Sequence, residues 1–135
     1  MNAREFLDRI KTLRVLVIGD AMLDHYIVGD AYRISPEAPV PVVHVTGDLH
    51  TAGGAANVAL NLAALGARPA LAARIGDDSH GRELIAILER HGVDSRHCPP
   101  TAGVRTIVKT RVTARGHQLC RIDREDPRPA YQLAP

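Results

Sequence analysis

The run Ala52-Gly53-Gly54-Ala55-Ala56-Asn57-Val58-Ala59 constrains this 135-residue chain more than any other feature, because it sets a glycine pair at the mouth of a helix. Lacking Cβ atoms, Gly53 and Gly54 can take positive φ and let a ligand come close to the peptide amides. The first N–H groups of the helix that follows have no intrahelical acceptor and supply further donors. Asn57, about one turn in, carries a carboxamide that both donates and accepts, which suits the vicinal hydroxyls of a sugar. The run reads as a sugar or nucleoside site. The plainer alternative is a tight strand-to-helix turn that needs glycine for its backbone alone.

The elements around it alternate between strand and helix. Asn2 with Glu5 forms a capping box, and Phe6, Leu7, Ile10 and Leu13 give a helical stripe to about Lys11. Val15-Leu16-Val17-Ile18 is a continuous apolar run ending in Gly19-Asp20, the mark of a central strand buried on both faces whose end opens onto a site. Residues 26–45 hold short β-prone pieces broken by Gly29, Pro36, Pro39 and Pro41. Since proline cannot donate to a ladder, they predict edge strands in a small flap outside the core. A helix over 55–65, with Val58, Leu62 and Leu65 inward, stops at Gly66, and a strand follows at 71–75. Gly76-Asp77-Asp78-Ser79-His80-Gly81 leads into a second helix with Leu84, Ile85 and Leu88 inward, ending at Gly92. Two βα units in series predict a parallel sheet. Residues 105–112 and 118–123 form a hairpin around Ala114-Arg115-Gly116-His117. Residues 127–135 carry three prolines without periodicity and read as a linker, a loose terminus or a cut point in a longer frame.

Composition narrows the function classes. With aromatics at 3%, the core must be built from Val, Leu, Ile and Ala, which suits buried parallel strands. A formal charge of +2, from 17 basic and 15 acidic residues, gives no field that argues for nucleic acid or membrane, and points to a small-molecule partner. Cys98 and Cys120 are too few and too distant for a disulfide framework or a metal knuckle, so two free thiols in a reducing cytosol are expected. None of the seven His residues sits at i, i+4 with another, and no metal site is expected. No apolar run reaches membrane-spanning length, and residues 1–5 lack the order of a signal peptide, which makes a cytoplasmic location the default. There is no Gly-x-x-x-x-Gly-Lys-Ser/Thr loop, and the first strand ends in Gly-Asp and not in a dinucleotide fingerprint.

The spacing from Ala52 through Ala59 to Gly66 and Gly76 resembles the N-terminal signature of the PfkB, or ribokinase-like, family of carbohydrate kinases. Gly19-Asp20-Ala21-Met22-Leu23-Asp24 and Arg33-Ile34-Ser35-Pro36-Glu37-Ala38-Pro39-Val40-Pro41-Val42 are similar to the heptose 7-phosphate kinases of that family. The similarity runs from about residue 13 to about residue 126. It implies a ribokinase-like α/β fold: a parallel central sheet with flanking helices and a small β-flap, at about 25–46, acting as a lid. Residues 1–126 would then form the N-terminal part of the domain, incomplete on the C-terminal side.

The resemblance implies transfer of the ATP γ-phosphate to the anomeric hydroxyl of D-glycero-D-manno-heptose 7-phosphate, in lipopolysaccharide core synthesis. Family members are much longer, and their ATP site and catalytic Asp lie around a Gly-Ala-Gly-Asp element that this sequence lacks. The chain is therefore expected to supply the sugar side, to leave ATP and magnesium mainly to residues elsewhere, and not to turn over alone. Flaps of this family pair between subunits, which implies a homodimer. The rival readings are a non-catalytic sugar-phosphate-binding or dimerisation module, and a kinase for another sugar.

Residue by residue, Asp24 falls at the family's sugar-binding Asp, and Gly53, Gly54 and Asn57 carry over as sugar-binding positions. A carboxylate at Asp20 could accept from sugar hydroxyls or serve as a cap or turn ligand. Strand alternation sets Arg105, Ile107, Lys109 and Arg111 on one face and Thr106, Val108, Thr110 and Val112 on the other. The first set is a basic stripe that could hold the phosphate of such a substrate, with Arg33 in the flap as a further candidate, or could merely solubilise the surface. A plain two-residue turn would point Arg121 away from Lys109 and Arg111.

Overall fold

The structure, a computed structural model, describes residues 2–133, so that Met1 and the last two residues of the proline-rich tail, Ala134 and Pro135, lie outside it. Helix α1 (Ala3–Ile10) opens on the expected capping box: Asn2 Oδ1 accepts from the Glu5 amide at 2.9 Å, and Glu5 Oε2 accepts from the Asn2 amide at 3.0 Å. Then come β1 (Arg14–Ile18), β2 (Ala21–Ile34), β3 (Pro41–Gly54) and α2 (Ala55–Ala64). After them lie β4 (Arg68–Ala72), β5 (Ile75–Gly76), α3 (Ser79–Arg90), β6 (Asp94–His97), β7 (Pro100–Thr101), β8 (Ile107–Ala114) and β9 (His117–Arg124). A 3-10 turn, Arg128–Tyr131, follows β9.

Two larger sheets share these strands. β1, β4 and β6 form a parallel sheet with β4 in the middle, and β3, β2, β8 and β9 form a second sheet in that order. β2 runs parallel to β8 and antiparallel to β3. The core lies where α2 and α3 meet the sheets, around Leu23, Leu71, Ile75, Leu84, Leu88 and Val108. Each such side chain contributes about 1.5–3 kcal/mol when taken fully out of water.

Several sequence expectations need correction. Among the described residues β1 lies at the margin of its sheet and not at the centre. Val15 and Val17 are half-buried on one side, while Leu16 and Ile18 are 55% and 64% exposed on the other, where no layer of described residues covers them. The strand over 71–75 is split between β4 and β5. In α2 the buried residues are Ala56 and Ala59, with Leu60 and Ala63 packed partly against the core; Val58 is half exposed. Small side chains let this helix lie close to the strands, so the largest residues do not mark its inner face. In α3 the inward set is Gly81, Leu84, Ile87 and Leu88, with Ile85 only partly covered.

The flap of short pieces is instead a ribbon of two strands of 14 residues each, widened by β8 and β9 into a four-stranded sheet. Pro36 and Pro39 fall in the connecting loop and Pro41 is the first residue of β3, so none interrupts the ladder; Gly29 sits at a register shift. In the tail Tyr131 is buried, with its hydroxyl accepting from the Asp126 amide at 2.7 Å and donating to the Arg105 carbonyl at 3.0 Å.

Asp78 ties the start of α3 to the residue that leads into β8. It caps α3 through Oδ1, which accepts from the Gly81 amide at 2.7 Å and from the Thr106 hydroxyl at 2.8 Å, while Oδ2 accepts from the Thr106 amide at 2.9 Å. Thr106 Oγ1 accepts in turn from the Gly76 amide at 3.0 Å. Burial alone would raise the Asp78 carboxyl, but these hydrogen bonds outweigh it and hold its pKa below the ordinary value. A carboxylate with a depressed pKa stabilises the fold above its unfolded pKa, and that contribution is lost as pH falls through the folded value. Asp78→Ala is expected to cost about 2–3 kcal/mol at neutral pH from the lost cap and charge-assisted bonds. In thermal melts, the gap between variant and wild type should narrow below about pH 4.

Candidate functional site

The glycine pair sits where β3 runs into α2, and each member is needed for a different reason. Met22 lies opposite Gly53 and Asp24 opposite Thr51 in the β2–β3 ladder. The Asp24 side chain folds over Gly53: a Cβ there would run into Asp24 Oδ2 and lie 2.8 Å from Asp24 Cγ. Gly54 is the N-cap of α2, at φ 57 and ψ −134, and a Cβ on it would collide with the Asp20 carbonyl oxygen. That same carbonyl accepts from the Ala55 amide at 2.9 Å. Asp20 thus holds the turn through its main chain, while the residue itself is exposed.

No side chain caps α2, and Asn57, third in the helix, is exposed with no side-chain partner among the described residues. Asp24, Gly53, Gly54 and the Asp20 main chain therefore meet at one junction, and Asn57 follows in the first turn of α2. Its donors are the amides of α2 after Ala55, whose own N–H is taken by the Asp20 carbonyl, and the Asn57 carboxamide; its acceptors are the carboxylates of Asp24 and Asp20. This set can grip neighbouring hydroxyls.

The basic stripe is present but internally paired. Arg111 Nη1 donates to Asp24 Oδ1 at 2.5 Å, and its guanidinium lies over the Tyr26 ring, 5.3 Å from the centroid. The bond to Asp24, against some desolvation, holds the Arg111 pKa above its ordinary value. Lys109 donates to Asp123 at 3.0 Å and to Glu125 at 2.5 Å. Desolvation would lower the Lys109 ammonium, but Glu125 and Asp123 together raise it.

Arg121 joins the same ladder, contrary to expectation. The two-residue turn Arg115-Gly116 is present, with φ 49 and 78, but a bulge shifts the register so that Val112 pairs with Cys120 and Arg111 with Arg121. One extra residue turns Arg121 and Asp123 to the face of Lys109 and Arg111, where Arg121 Nε donates to Asp123 at 2.9 Å. Arg33 is not brought to this junction. It lies nine residues along β2 from Asp24, roughly 30 Å away on an extended strand, and is exposed.

A second cluster escaped the sequence pattern. On the other side of β2 and β3, His25 and His50 face each other as register partners, with ring centroids 4.2 Å apart. His25 Nε2 is 2.8 Å from Asp48 Oδ1, and His50 Nδ1 is 2.6 Å from Glu83 Oε1 of α3. Helical i, i+4 spacing could not find residues joined by an antiparallel register. The available signal was Asp48-Leu49-His50, an acid and an imidazole two apart and so on one face of a strand.

The chain has relatives among known proteins in both sequence and fold. Residues 12–132 match the family described as pfkB family carbohydrate kinase. Among curated proteins, the chain is 53% identical over 113 residues to the bifunctional protein HldE of Magnetococcus marinus, covering 84% of this chain and 23% of that protein. It is 49% identical over 126 residues to the HldE of Hyphomonas neptunium, covering 93% and 26%. The chain thus spans about a quarter of the length of the curated relatives it matches. Among solved structures it superposes on the ribokinase of Cryptococcus neoformans in complex with ADP, with a TM-score of 0.61 and 25% identity, over 84% of this chain and 34% of that one. It also shares its fold with a carbohydrate kinase of Agrobacterium tumefaciens, with a TM-score of 0.65 and 24% identity, over 82% and 35%.

The two glycines should respond differently to alanine. Gly54→Ala is expected to cost about 1–3 kcal/mol from its positive φ alone, before the clash with Asp20. Gly53→Ala should be rescued in part when Asp24 is also cut to Ala, because the carboxylate is the obstacle. Chemical denaturation of the four chains of this cycle should show a coupling of about 1 kcal/mol or more, and simple additivity would refute the contact.

Proposed function

Because the chain belongs to the pfkB family of carbohydrate kinases, we propose that residues 12–132 supply the sugar-binding part of an enzyme that phosphorylates the anomeric hydroxyl of D-glycero-D-manno-heptose 7-phosphate with ATP. The observation that carries this reading is the Asp24 carboxylate resting on Gly53, beside the uncapped start of α2 and the exposed Asn57. The heptose assignment is supported by residues 19–24 and 33–42 and by the similarity to the HldE proteins.

Arg111 occupies Asp24 Oδ1, which leaves Oδ2 to accept from sugar hydroxyls and fixes the carboxylate plane. Asn57 and the amides of α2 after Ala55 complete the grip, and Asp20 lines the same turn. Phosphoryl transfer asks little covalent chemistry of the protein, so holding the attacking oxygen in line and excluding water is the work of this region. The β2–β3 ribbon would close over the sugar as a lid.

Lys109 and Arg111 share the face of Asp24: Lys109 would meet the 7-phosphate by exchanging Asp123 or Glu125 for it, while Arg111 keeps its bond to Asp24 and offers its remaining N–H groups. That exchange replaces one anion with another and leaves neither cation unpaired. Arg33, far along the ribbon, has no part in this grip within one chain.

ATP is the second substrate, with magnesium expected as its counter-ion. The described residues do not fit the triphosphate. The Gly76-Asp77-Asp78 turn before α3 carries no lysine, and Asp78 is already engaged by Gly81 and Thr106. No step through nucleotide or metal is derived from this chain.

The ribbon also supports a homodimer, since Val28, Tyr32, Ile34, Val45 and Leu49 on it are all exposed. No helix is long and apolar enough to cross a membrane, and a cytoplasmic site of action would give the kinase its ATP.

In the intact enzyme, Asp24→Asn and Asn57→Ala should each raise the KM for the sugar about 10- to 100-fold, the worth of a hydrogen bond to a charged or well-placed group. Lys109→Ala should raise the KM for heptose 7-phosphate more than for unphosphorylated heptose. Equal effects would remove the phosphate role and leave a sugar kinase of another specificity. Sugar binding with no phosphoryl transfer in the intact protein would favour the non-catalytic module.

A further inference from the structure

We propose that His25, Asp48 and His50 form a binding site for a divalent transition-metal ion, of which zinc is the natural class, on the side of the β2–β3 ribbon opposite Asp24. One ligand atom from each of the three residues lies within 4.8 Å of the other two. Two imidazoles and a carboxylate are the donor set zinc takes when three protein groups bind it and a fourth position stays open. Tetrahedral closure about zinc needs ligand atoms ~3.3 Å apart, a contraction that side-chain rotation can supply.

The surrounding hydrogen bonds match what such ligands need. A metal-bound histidine donates its second ring N–H to an oxygen, which fixes tautomer and ring plane. His25 Nδ1 lies 3.2 Å from Thr110 Oγ1, which leaves Nε2 turned to Asp48 Oδ1. His50 Nδ1 lies 2.6 Å from the Glu83 carboxylate, which leaves its Nε2 for the ion. Thr110 and Glu83 are thus positioning residues. The site is reachable: the His25 and His50 side chains are 18% and 27% exposed, and Asp48 is 61% exposed.

The ion has a mechanical consequence. His25 belongs to β2, Asp48 and His50 to β3, and Glu83 to α3, so a metal here would pin both ribbon strands to each other beside the helix that packs on them. Asp24 and His25 are adjacent in sequence and point to opposite faces, which keeps this site apart from the proposed sugar grip.

The test uses the intact native protein without a histidine tag, titrated with Co2+ and followed by its visible absorption, with Zn2+ as competitor. The expected result is one Co2+ per chain with the intense band of a four-coordinate ion, displaced by Zn2+. His50→Ala should abolish the band, and Asp48→Asn, at an exposed position that leaves the fold intact, should weaken binding at least tenfold. Glu83→Gln should weaken it by about 10- to 100-fold without removing a ligand. Zn2+ should also raise the melting temperature of the wild type and not of Asp48→Asn or His50→Ala. Absence of a band, or a dissociation constant unchanged in both variants while circular dichroism reports native folds, overturns the proposal.

Discussion

The junction at Gly53 and Gly54 is a steric constraint on which the other features depend. A carboxylate can lie against the main chain of a neighbouring strand only if that strand presents hydrogen where a methyl group would be. Gly53 provides that space for Asp24, and Gly54 turns the chain so that α2 starts against the Asp20 carbonyl. Arg111 then locks the carboxylate from β8, which binds the ribbon to the hairpin. Widening either glycine would disturb a side chain on β2, a carbonyl after β1 and the entry of a helix together.

Alternation along β2 divides the ribbon's chemistry between two sides. Asp24 and Tyr26 face the charged ladder of β8 and β9, while Leu23 and His25 face the core and α3. The ladder is nearly balanced, with Lys109, Arg111 and Arg121 answered by Asp24, Asp123 and Glu125. Such balance orders side chains in a region that must admit a polar ligand, and it makes any incoming anion compete with a resident one. Asp78 performs the corresponding task at the base, where its hydrogen bonds to Thr106 join α3 to the start of β8.

Much of this was legible in the sequence, because it rests on local chemistry. The capping box at Asn2, the parallel βα units, the turn at Arg115-Gly116 and the special role of Gly53 and Gly54 all follow from residues close together in the chain. What escaped depends on distant pairing. The bulge near Leu119 changes the facing of Arg121 and Asp123, and periodicity has no means of announcing an inserted residue. The meeting of His25, His50 and Glu83 needs the register of two strands and the docking of a helix. The inner face of α2 departs from its apolar pattern because Ala56 and Ala59, and not Val58 or Leu65, make the close approach.

The four-stranded sheet has unlike margins. At one, β9 carries Arg121, Asp123 and Arg124 and is buckled by its bulge, features that discourage an added strand. At the other, β3 offers Val42, Val43, Val45 and Leu49. Head-to-tail stacking into filaments requires both margins to accept a neighbour, and among the described residues β3 is the less charged of the two, although it too holds an extra residue, Thr46, at a register shift. A strand added to β3 by the same margin of a second copy would meet it about a twofold axis, an arrangement that terminates after two.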